Sequence, residues 1–342
     1  MRKSAIVFVA ALVFLLAAPG AVFAQRGGAA DGAIQIRVAS PVPRSSDWGR
    51  TMDRIAAEWT RVTNGAVRPH VIHDGLEGGE TQMLSSLSTN RIQAALLTSH
   101  GLSEIVPEIM NLSVPFKIRN DAELDLVLRE MLPFLEQRVN TTDFVVLTWS
   151  RAGWVYIFSR EPVLVPNDLR AMPMAVSAES ENMNAVFSRM GFNLVMTQIT
   201  DMGPALATGR IRALYQSPAA IAPLGLHRTV AHMLDMPIAP FMGGIVLNRA
   251  TWNRLGPANQ RAMLEVTRRI AAEFDAAMPR TVANAMTTMR RGGLAVHTPT
   301  PQQQALWHNE VRQAMPPLLG STFDRTMYTR ITAILENSRR GQ

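Results

Sequence analysis

Residues 34–98 read IQIRVASPVPRSSDWGRTMDRIAAEWTRVTNGAVRPHVIHDGLEGGETQMLSSLSTNRIQAALLT, and the spacing of apolar residues in this stretch predicts the fold. Apolar residues alternate over 34–39 as in a strand, and a second β-rich run covers 67–72. The segment between them has a helical apolar stripe that consists of Met52, Ile55, Ala56 and Trp59. A helical segment over 79–90 then leads to an apolar strand at 92–98. Strands and helices that alternate at this spacing indicate a parallel sheet in an α/β domain.

The same alternation returns in the second half of the chain. We predict a strand at 172–176, a helix at 181–190 and a strand at 193–196. A helix at 202–208 and a strand at 211–215 complete this unit. The two halves share no visible sequence repeat. The pattern therefore indicates a second α/β unit rather than a repeat protein.

The middle and the end of the chain connect these units. The β-rich runs at 144–148 and 153–159 are interpreted as two strands near a domain crossover, and 243–247 resembles a return strand. Residues 251–291 are dominated by apolar positions at helical spacing. The sequence thus predicts a two-lobed α/β protein with a helical C-terminal third. The predicted division is 34–150 and 243–275 for the first lobe, and 151–242 and 276–335 for the second.

The N-terminus has the pattern of a secretory signal peptide over residues 1–24. Two basic residues precede an apolar run at 5–18, and positions 21–24 read AVFA, with the small residues that a signal peptidase needs. The apolar run is shorter than the roughly 20 residues of a membrane span. We predict cleavage after Ala24, a linker over 25–33 and a mature protein in the periplasm.

The composition excludes several classes of protein and site. The chain has no cysteine, which excludes disulfides, thiolate metal sites and a lipid anchor on cysteine. The formal net charge is +7, and the basic residues are mostly scattered singly rather than grouped with aromatic residues. Nucleic acid is therefore not an expected partner.

The sequence lacks the motifs of common catalytic and metal sites. His70 and His73 are close in sequence, but a strand would place them on opposite faces, so a shared metal is not expected. Ser99 precedes a histidine, yet no Gly-x-Ser-x-Gly elbow is present, and the glycine-rich loop at 75–79 lacks the Lys-Ser/Thr of a phosphate loop. We predict no metal, no cofactor and no enzyme activity. An exported α/β enzyme remains the alternative from another class.

Four short segments occur in the order and spacing of one known family. They are Val38-Ala39-Ser40-Pro41 with Trp48-Gly49, Gly79-Glu80-Thr81-Gln82-Met83, Pro166-Asn167-Asp168-Leu169-Arg170 and Ala205-Leu206-Ala207-Thr208-Gly209-Arg210-Ile211. With these segments, residues 34 to 335 resemble the periplasmic solute-binding subunits of TRAP transporters. The resemblance implies the two-lobed periplasmic binding protein fold, with crossover strands, a ligand in the cleft and closure by a hinge.

One departure from that family concerns the residue expected to bind an organic anion. The resemblance implies an arginine on the strand after the Asp-Leu turn, which binds the carboxylate of the ligand in most members. In this sequence Ala175 occupies that position. A carboxylate buried without a counter-charge is strongly disfavoured. Two alternatives keep an organic acid as ligand: a shift of register that gives the role to Arg170, or a contact from Arg151.

The resemblance is strongest to the subset whose binding subunit works with a tetratricopeptide-repeat protein and takes an apolar ligand. We therefore expect a receptor that delivers an apolar or amphipathic solute to the membrane subunits of a TRAP-type transporter. An ordinary organic-acid receptor is the alternative. The candidate ligand-binding residues are Trp48, Thr98, Ser99, Phe116, Arg151, Trp154, Tyr156, Ala175 and Gln216.

Overall fold

The computed structural model describes residues 32–177, 180–197 and 201–341. The predicted signal peptide, its cleavage point after Ala24 and most of the linker lie outside these ranges. The strands are β1 (Ile34–Ala39), β2 (Val67–Ile72), β3 (Ala94–Thr98), β4 (Phe144–Ser159), β5 (Pro173–Val176), β6 (Asn193–Met196), β7 (Ala213–Gln216), β8 (His232–Leu234), β9 (Ala239–Asn248) and β10 (Ala295–His297).

Helices make up most of the remaining structure. They are α1 (Asp47–Val62), α2 (Glu80–Ser88), α3 (Ser99–Ile105), α4 (Asp121–Val139), α5 (Pro166–Arg170), α6 (Glu181–Arg189), α7 (Met202–Ala207), α8 (Pro218–Ile221), α9 (Arg249–Arg254), α10 (Gly256–Arg291), α11 (Pro301–Ala314) and α12 (Arg325–Arg340). A 3-10 segment, Pro107–Ser113, follows α3. The helical C-terminal third that the sequence predicts is confirmed.

The strands form two parallel groups that are joined by antiparallel strands. The main order is β2-β1-β3-β9-β4-β7-β5-β6. β1 pairs in parallel with β2 and β3, and β5 pairs in parallel with β6 and β7. β9 runs antiparallel to both β3 and β4, and β4 continues antiparallel to β7. The two predicted α/β units are therefore confirmed, each with its own parallel strands.

The prediction of two strands separated by residues 149–152 is wrong, because β4 is one strand. β9 pairs with β4 on both sides of this segment. The ladder accommodates it through an irregularity between Arg151 and Trp154. Gly153 lies there with φ of +85°, a backbone conformation that glycine adopts without a Cβ penalty. The crossover between lobes is thus a bulged continuous strand.

A long helix supports both lobes from one side. α10 has 36 residues, which corresponds to a length of about 54 Å. Pro279 lies inside this helix rather than ending it. Ile270 belongs to a buried cluster with Ile36 and Trp59 of the first lobe, whereas Met289 packs in a cluster of the second lobe. Burial along α10 therefore stabilises both lobes.

The last helix packs onto the first lobe. Met327, Ile331 and Leu335 of α12 are buried in the same cluster as Leu128 and Leu135 of α4. The sequence-based division assigned α12 to the second lobe, and that division stays a prediction. Across the residues that the structure covers, no helix has both the length and the apolar character of a membrane span.

A buried hydrogen bond between α1 and α10 provides a test of this packing. Trp59 Nε1 donates to Thr267 Oγ1 at 2.7 Å, and both residues are fully buried. Thr267→Val removes the acceptor and leaves the indole N–H without a partner. We expect the free energy of unfolding to fall by about 1–3 kcal/mol in urea titrations.

Thr287 is a matched control on the same helix. Its hydroxyl donates to the Ala283 carbonyl, as that of Thr267 does to Met263, but Thr287 is exposed. Thr287→Val should change the free energy of unfolding by less than about 0.5 kcal/mol. Equal losses in both variants would contradict a stabilising role for the buried indole hydrogen bond.

Candidate functional site

A cavity of about 130 Å³ lies where the carboxyl ends of β3, β5 and β7 meet. Ligands of open α/β sheets bind at such strand ends, because the loops there leave a crevice. Both lobes and the strands that join them contribute to its walls. The lining residues are Thr98, Ser99, His100, Met110, Ser113, Val155, Ala175, Val176, Ser177, Ser180, Met183, Asn184, Phe187, Met202, Tyr215, Gln216, Pro240 and Phe241.

A buried carboxylate fixes the wall that the first lobe supplies. Glu80, the first residue of α2, is 5 % exposed. Its carboxylate accepts hydrogen bonds from the Thr98 backbone N–H at 3.1 Å, from the Thr98 hydroxyl at 3.1 Å and from the Gly101 N–H at 2.7 Å. Backbone N–H groups at the start of a helix stabilise a negative charge. Glu80 therefore ties the start of α2 to the end of β3 and the first turn of α3.

Gly101 is required for this contact. A Cβ at this position would lie 2.5 Å from Glu80 Oε2, which is closer than nonbonded atoms approach. Ser99 is fixed from another side, because its hydroxyl donates to the Met242 carbonyl of β9 at 3.3 Å. The polar wall at Thr98 and Ser99 is thus tied to α2, α3 and β9 at once.

The wall that the second lobe supplies is mainly apolar. Phe187 and Tyr215 pack edge to face with ring centroids 5.1 Å apart. Met183 and Met202 are both buried and line the cavity beside these rings. Burial raises the pKa of Tyr215, so its phenol is neutral at physiological pH. This wall suits the apolar part of a ligand.

Asn184 is the buried amide of the second-lobe wall. Its Nδ2 donates to the Ser177 carbonyl oxygen at 2.8 Å. Its Oδ1 is buried and accepts no hydrogen bond from any residue in the described parts of the chain. Asn184 is 8 % exposed and lines the cavity. A cavity-lining side chain thus carries an acceptor that no described residue pairs.

The cavity lacks the charged side chains that organic anions require. Among the described residues that line it, there is no arginine, lysine, aspartate or glutamate. The polar lining consists of hydroxyl, amide and imidazole groups. A carboxylate placed here would keep its desolvation cost without the counter-charge that normally offsets it.

Four of the nine predicted site residues line this cavity. Thr98 and Ser99 lie at the end of β3, Ala175 on β5 and Gln216 at the end of β7. The position where the resemblance expected an arginine is therefore on the cavity wall. The other five predicted residues lie outside the lining, and whether any of them meets a ligand stays a prediction.

Four of these five residues are aromatic, and three of the four pack within the lobes. Trp48 packs on Phe274 of α10 with ring centroids 4.2 Å apart. Phe116 lies in the second-lobe cluster and packs on Trp307 with ring centroids 5.9 Å apart. Tyr156 is partly buried, and desolvation raises the pKa of its phenol to about 12. Apolar packing accounts for these three side chains.

The remaining two, Arg151 and Trp154, bind α4 at the crossover. Arg151 forms an ion pair with Asp125, and its Nε lies 3.9 Å from Asp275 Oδ2. Trp154 Nε1 donates to Asp121 Oδ1 at 2.9 Å. Both side chains therefore have acidic partners within the protein.

Arg170, the alternative anion ligand, is also engaged elsewhere. Its Nη2 lies 2.6 Å from Glu310 Oε2 of α11, and its Nε donates to the Met190 carbonyl at 2.8 Å. It is not among the cavity-lining residues. These contacts tie α5 to α6 and α11 within the second lobe.

Sequence reasoning missed the residues between β5 and the middle of α6. Ser177, Ser180 and Asn184 line the cavity, although the sequence analysis singled out only the strand itself. The available signal was their position directly after a parallel strand, where ligands are commonly bound. Tertiary packing determines which face of α6 lines the cavity, and no local sequence motif predicts that face.

Comparison with known proteins gives one matching family. The model of the bacterial extracellular solute-binding protein family 7 matches residues 38–320. A curated relative, a solute-binding protein of Verminephrobacter eiseniae, is 22% identical over 269 residues, covering 76% of this chain and 78% of the relative.

Two solved structures illustrate the shared fold. A TRAP periplasmic solute binding protein from Ralstonia eutropha H16, with bound (S)-2-acetolactate, has a TM-score of 0.81 and 18% identity and covers 89% of this chain and 99% of its own. Another from Sulfurospirillum deleyianum, with bound succinate, has a TM-score of 0.74 and 22% identity and covers 89% and 99%. These similarities confirm the two-lobed periplasmic binding protein fold.

The Glu80 contact predicts a measurable effect on stability. Glu80→Gln keeps the size of the side chain but removes its charge and replaces one acceptor oxygen with an N–H₂ donor that would face the Thr98 and Gly101 N–H groups. We expect the free energy of unfolding to fall by about 1.5–3 kcal/mol in urea titrations. Glu130→Gln, at an exposed position of α4, is the control and should change stability by less than about 0.5 kcal/mol. An unchanged unfolding midpoint for Glu80→Gln would refute this role of the carboxylate.

Proposed function

This chain belongs to bacterial extracellular solute-binding protein family 7, and on that premise we propose that it delivers a neutral, largely apolar solute to a TRAP-type transporter. The family consists of solute-binding proteins rather than enzymes, in agreement with the prediction that this chain is not an enzyme. The solute lies in the cavity between the lobes. Thr98, Ser99, Ala175 and Gln216 contact it, together with residues of α6.

The observation that carries the choice of solute is the absence of arginine and lysine from the described cavity lining. Ala175 supplies only a methyl group on the wall of β5. The Ralstonia and Sulfurospirillum proteins hold acetolactate and succinate, which are small carboxylates. Without a guanidinium, binding of such an anion here would leave its charge unpaired in a partly buried site.

Apolar side chains provide the main attraction for the solute. The cavity volume of about 130 Å³ limits the solute to a small molecule. The methionines at 183 and 202 adapt their flexible thioethers to an irregular apolar shape. Hydroxyl and amide groups on the opposite wall fix the orientation of the solute.

Closure of the lobes follows from the crossover geometry. We place the hinge at the bulge of β4, where Gly153 supports a left-handed backbone conformation. The predicted division into residues 34–150 with 243–275, and 151–242 with 276–335, serves as the working description of the two lobes. Arg151 and Trp154, held by Asp125 and Asp121 of α4, then lie beside the hinge rather than at the solute.

The receptor is expected to work in the periplasm with other proteins. Membrane subunits of the transporter receive the solute from the closed receptor. A tetratricopeptide-repeat protein is the further partner that the resemblance implies. Cleavage of the signal peptide after Ala24 releases the mature chain.

Calorimetry with small carboxylates tests the choice of solute. Succinate and (S)-2-acetolactate should bind the mature protein with a dissociation constant weaker than about 1 mM, because no cation offsets their desolvation. Mass spectrometry of the solvent extract from gently purified protein should identify a neutral compound. Micromolar binding of either acid to the unaltered protein would contradict the proposal and favour the organic-acid alternative.

A pair of variants at one position isolates the effect of charge. Ala175→Arg places a guanidinium on the cavity wall and should increase affinity for succinate by about tenfold or more. Ala175→Met has a side chain of similar length without charge and should give no gain. Comparison of thermal unfolding for the two variants controls for strain, which they share.

A further inference from the structure

The Asn184 side chain leaves one oxygen atom without a partner among the described residues. The amide nitrogen donates to the Ser177 carbonyl, and the oxygen is buried without a hydrogen bond from the described residues. Buried acceptors in native proteins are normally paired with protein, water or ligand. The unpaired oxygen therefore indicates what the cavity binds.

The orientation of this amide is determined by its neighbour. A backbone carbonyl only accepts hydrogen bonds, so the nitrogen of Asn184, rather than its oxygen, must face Ser177. A flipped amide would oppose two acceptor oxygens 2.8 Å apart. The oxygen is then the atom of this side chain that is left without a hydrogen bond from the described residues.

The surroundings of Asn184 restrict the chemistry of its ligand. Met183 and Phe187 are neighbours on α6 that line the same cavity and offer no hydrogen bond donor in their side chains. A carboxylate has only acceptor oxygens and would repel the amide oxygen. An ammonium group would lack a counter-charge, because the described lining contains no aspartate or glutamate. A neutral hydroxyl or amide N–H satisfies the oxygen without either cost.

We propose that Asn184 Oδ1 selects the solute by accepting a hydrogen bond from its neutral hydroxyl or amide N–H donor. The rest of that solute packs on the apolar wall formed by α6 and β7. This inference rests on the proposed function, since it assumes that the cavity is the solute site. It assigns Asn184 as the residue that distinguishes an alcohol or amide from an ether, an ester or a hydrocarbon of the same shape.

Two isomeric probes separate hydrogen bond donation from apolar burial. 1-Hexanol and methyl pentyl ether have the same formula and nearly the same shape, but only the alcohol has a donor. Calorimetric titration of the mature protein should show that 1-hexanol binds about tenfold more tightly than the ether. Sodium hexanoate, of the same chain length, should bind more weakly than the alcohol.

Variants of α6 connect that preference to one side chain. Asn184→Leu should bind the alcohol and the ether with equal affinity, because the acceptor is gone. Asn182→Leu is the matched control, since Asn182 lies on the same helix but does not line the cavity, and it should keep the tenfold preference. Circular dichroism and thermal unfolding of each variant establish that it is folded.

The possible outcomes separate this inference from the proposed function. Equal affinity of the unaltered protein for alcohol and ether overturns the role of Asn184 while leaving a neutral solute in place. A preference that persists in Asn184→Leu also overturns it. Binding of hexanoate alone overturns both the inference and the neutral-solute proposal. Should Asn184→Leu fail to fold, the comparison of the two isomers on the unaltered protein still decides.

Discussion

The antiparallel pairing of β4 with β9 determines how the two lobes meet. Phe144 pairs with Asn248 at one end of this ladder, and Val155 pairs with Ala239 at the other. β3 is attached to β9 on one side, and β7 is attached to β4 on the other. The carboxyl end of β3 in one lobe therefore faces the carboxyl ends of β5 and β7 in the other, and all three meet at one cavity. The bulge at Gly153, where we propose the hinge, lies on the same ladder.

The cavity differs from an anion-binding site because charged side chains of the protein pair with other protein groups. Three charged side chains are bound to other protein groups: Glu80 to the backbone N–H groups of Thr98 and Gly101, Arg151 to Asp125, and Arg170 to Glu310. A charged group that is paired in this way is not free to bind a ligand. The remaining polar lining consists of hydroxyl, amide and imidazole groups, and the Asn184 oxygen is a buried acceptor among them without a protein partner in the described chain. The neutral solute that we propose rests on this distribution of charge.

The sequence predicts the architecture well because the fold depends on periodicity. Alternating strands and helical stripes produce the same parallel units over 34–98 and 172–216 that the structure contains. The break expected at 149–152 did not occur, because pairing with β9 over a long separation outweighs the local polar residues. The local sequence pattern of a strand contains no information about a partner strand that is distant in the sequence.

The site was predicted only in part, for a related reason. Thr98 and Ala175 could be placed because they lie at or near the ends of parallel strands. Trp48 and Phe116 were selected for their aromatic rings, but the structure shows these rings packed against Phe274 and Trp307, and the sequence does not distinguish the two uses of an aromatic. Asn184 has no motif at all, since its role depends on the carbonyl to which its amide is bound.

The most direct measurement is a crystal structure of the protein purified with the solute it carries in its own periplasm. We expect density for an uncharged molecule in the cavity, with a hydroxyl or amide donor about 2.7–3.1 Å from Asn184 Oδ1. An organic acid in the cavity, with its carboxylate paired to an arginine such as Arg151, would contradict it.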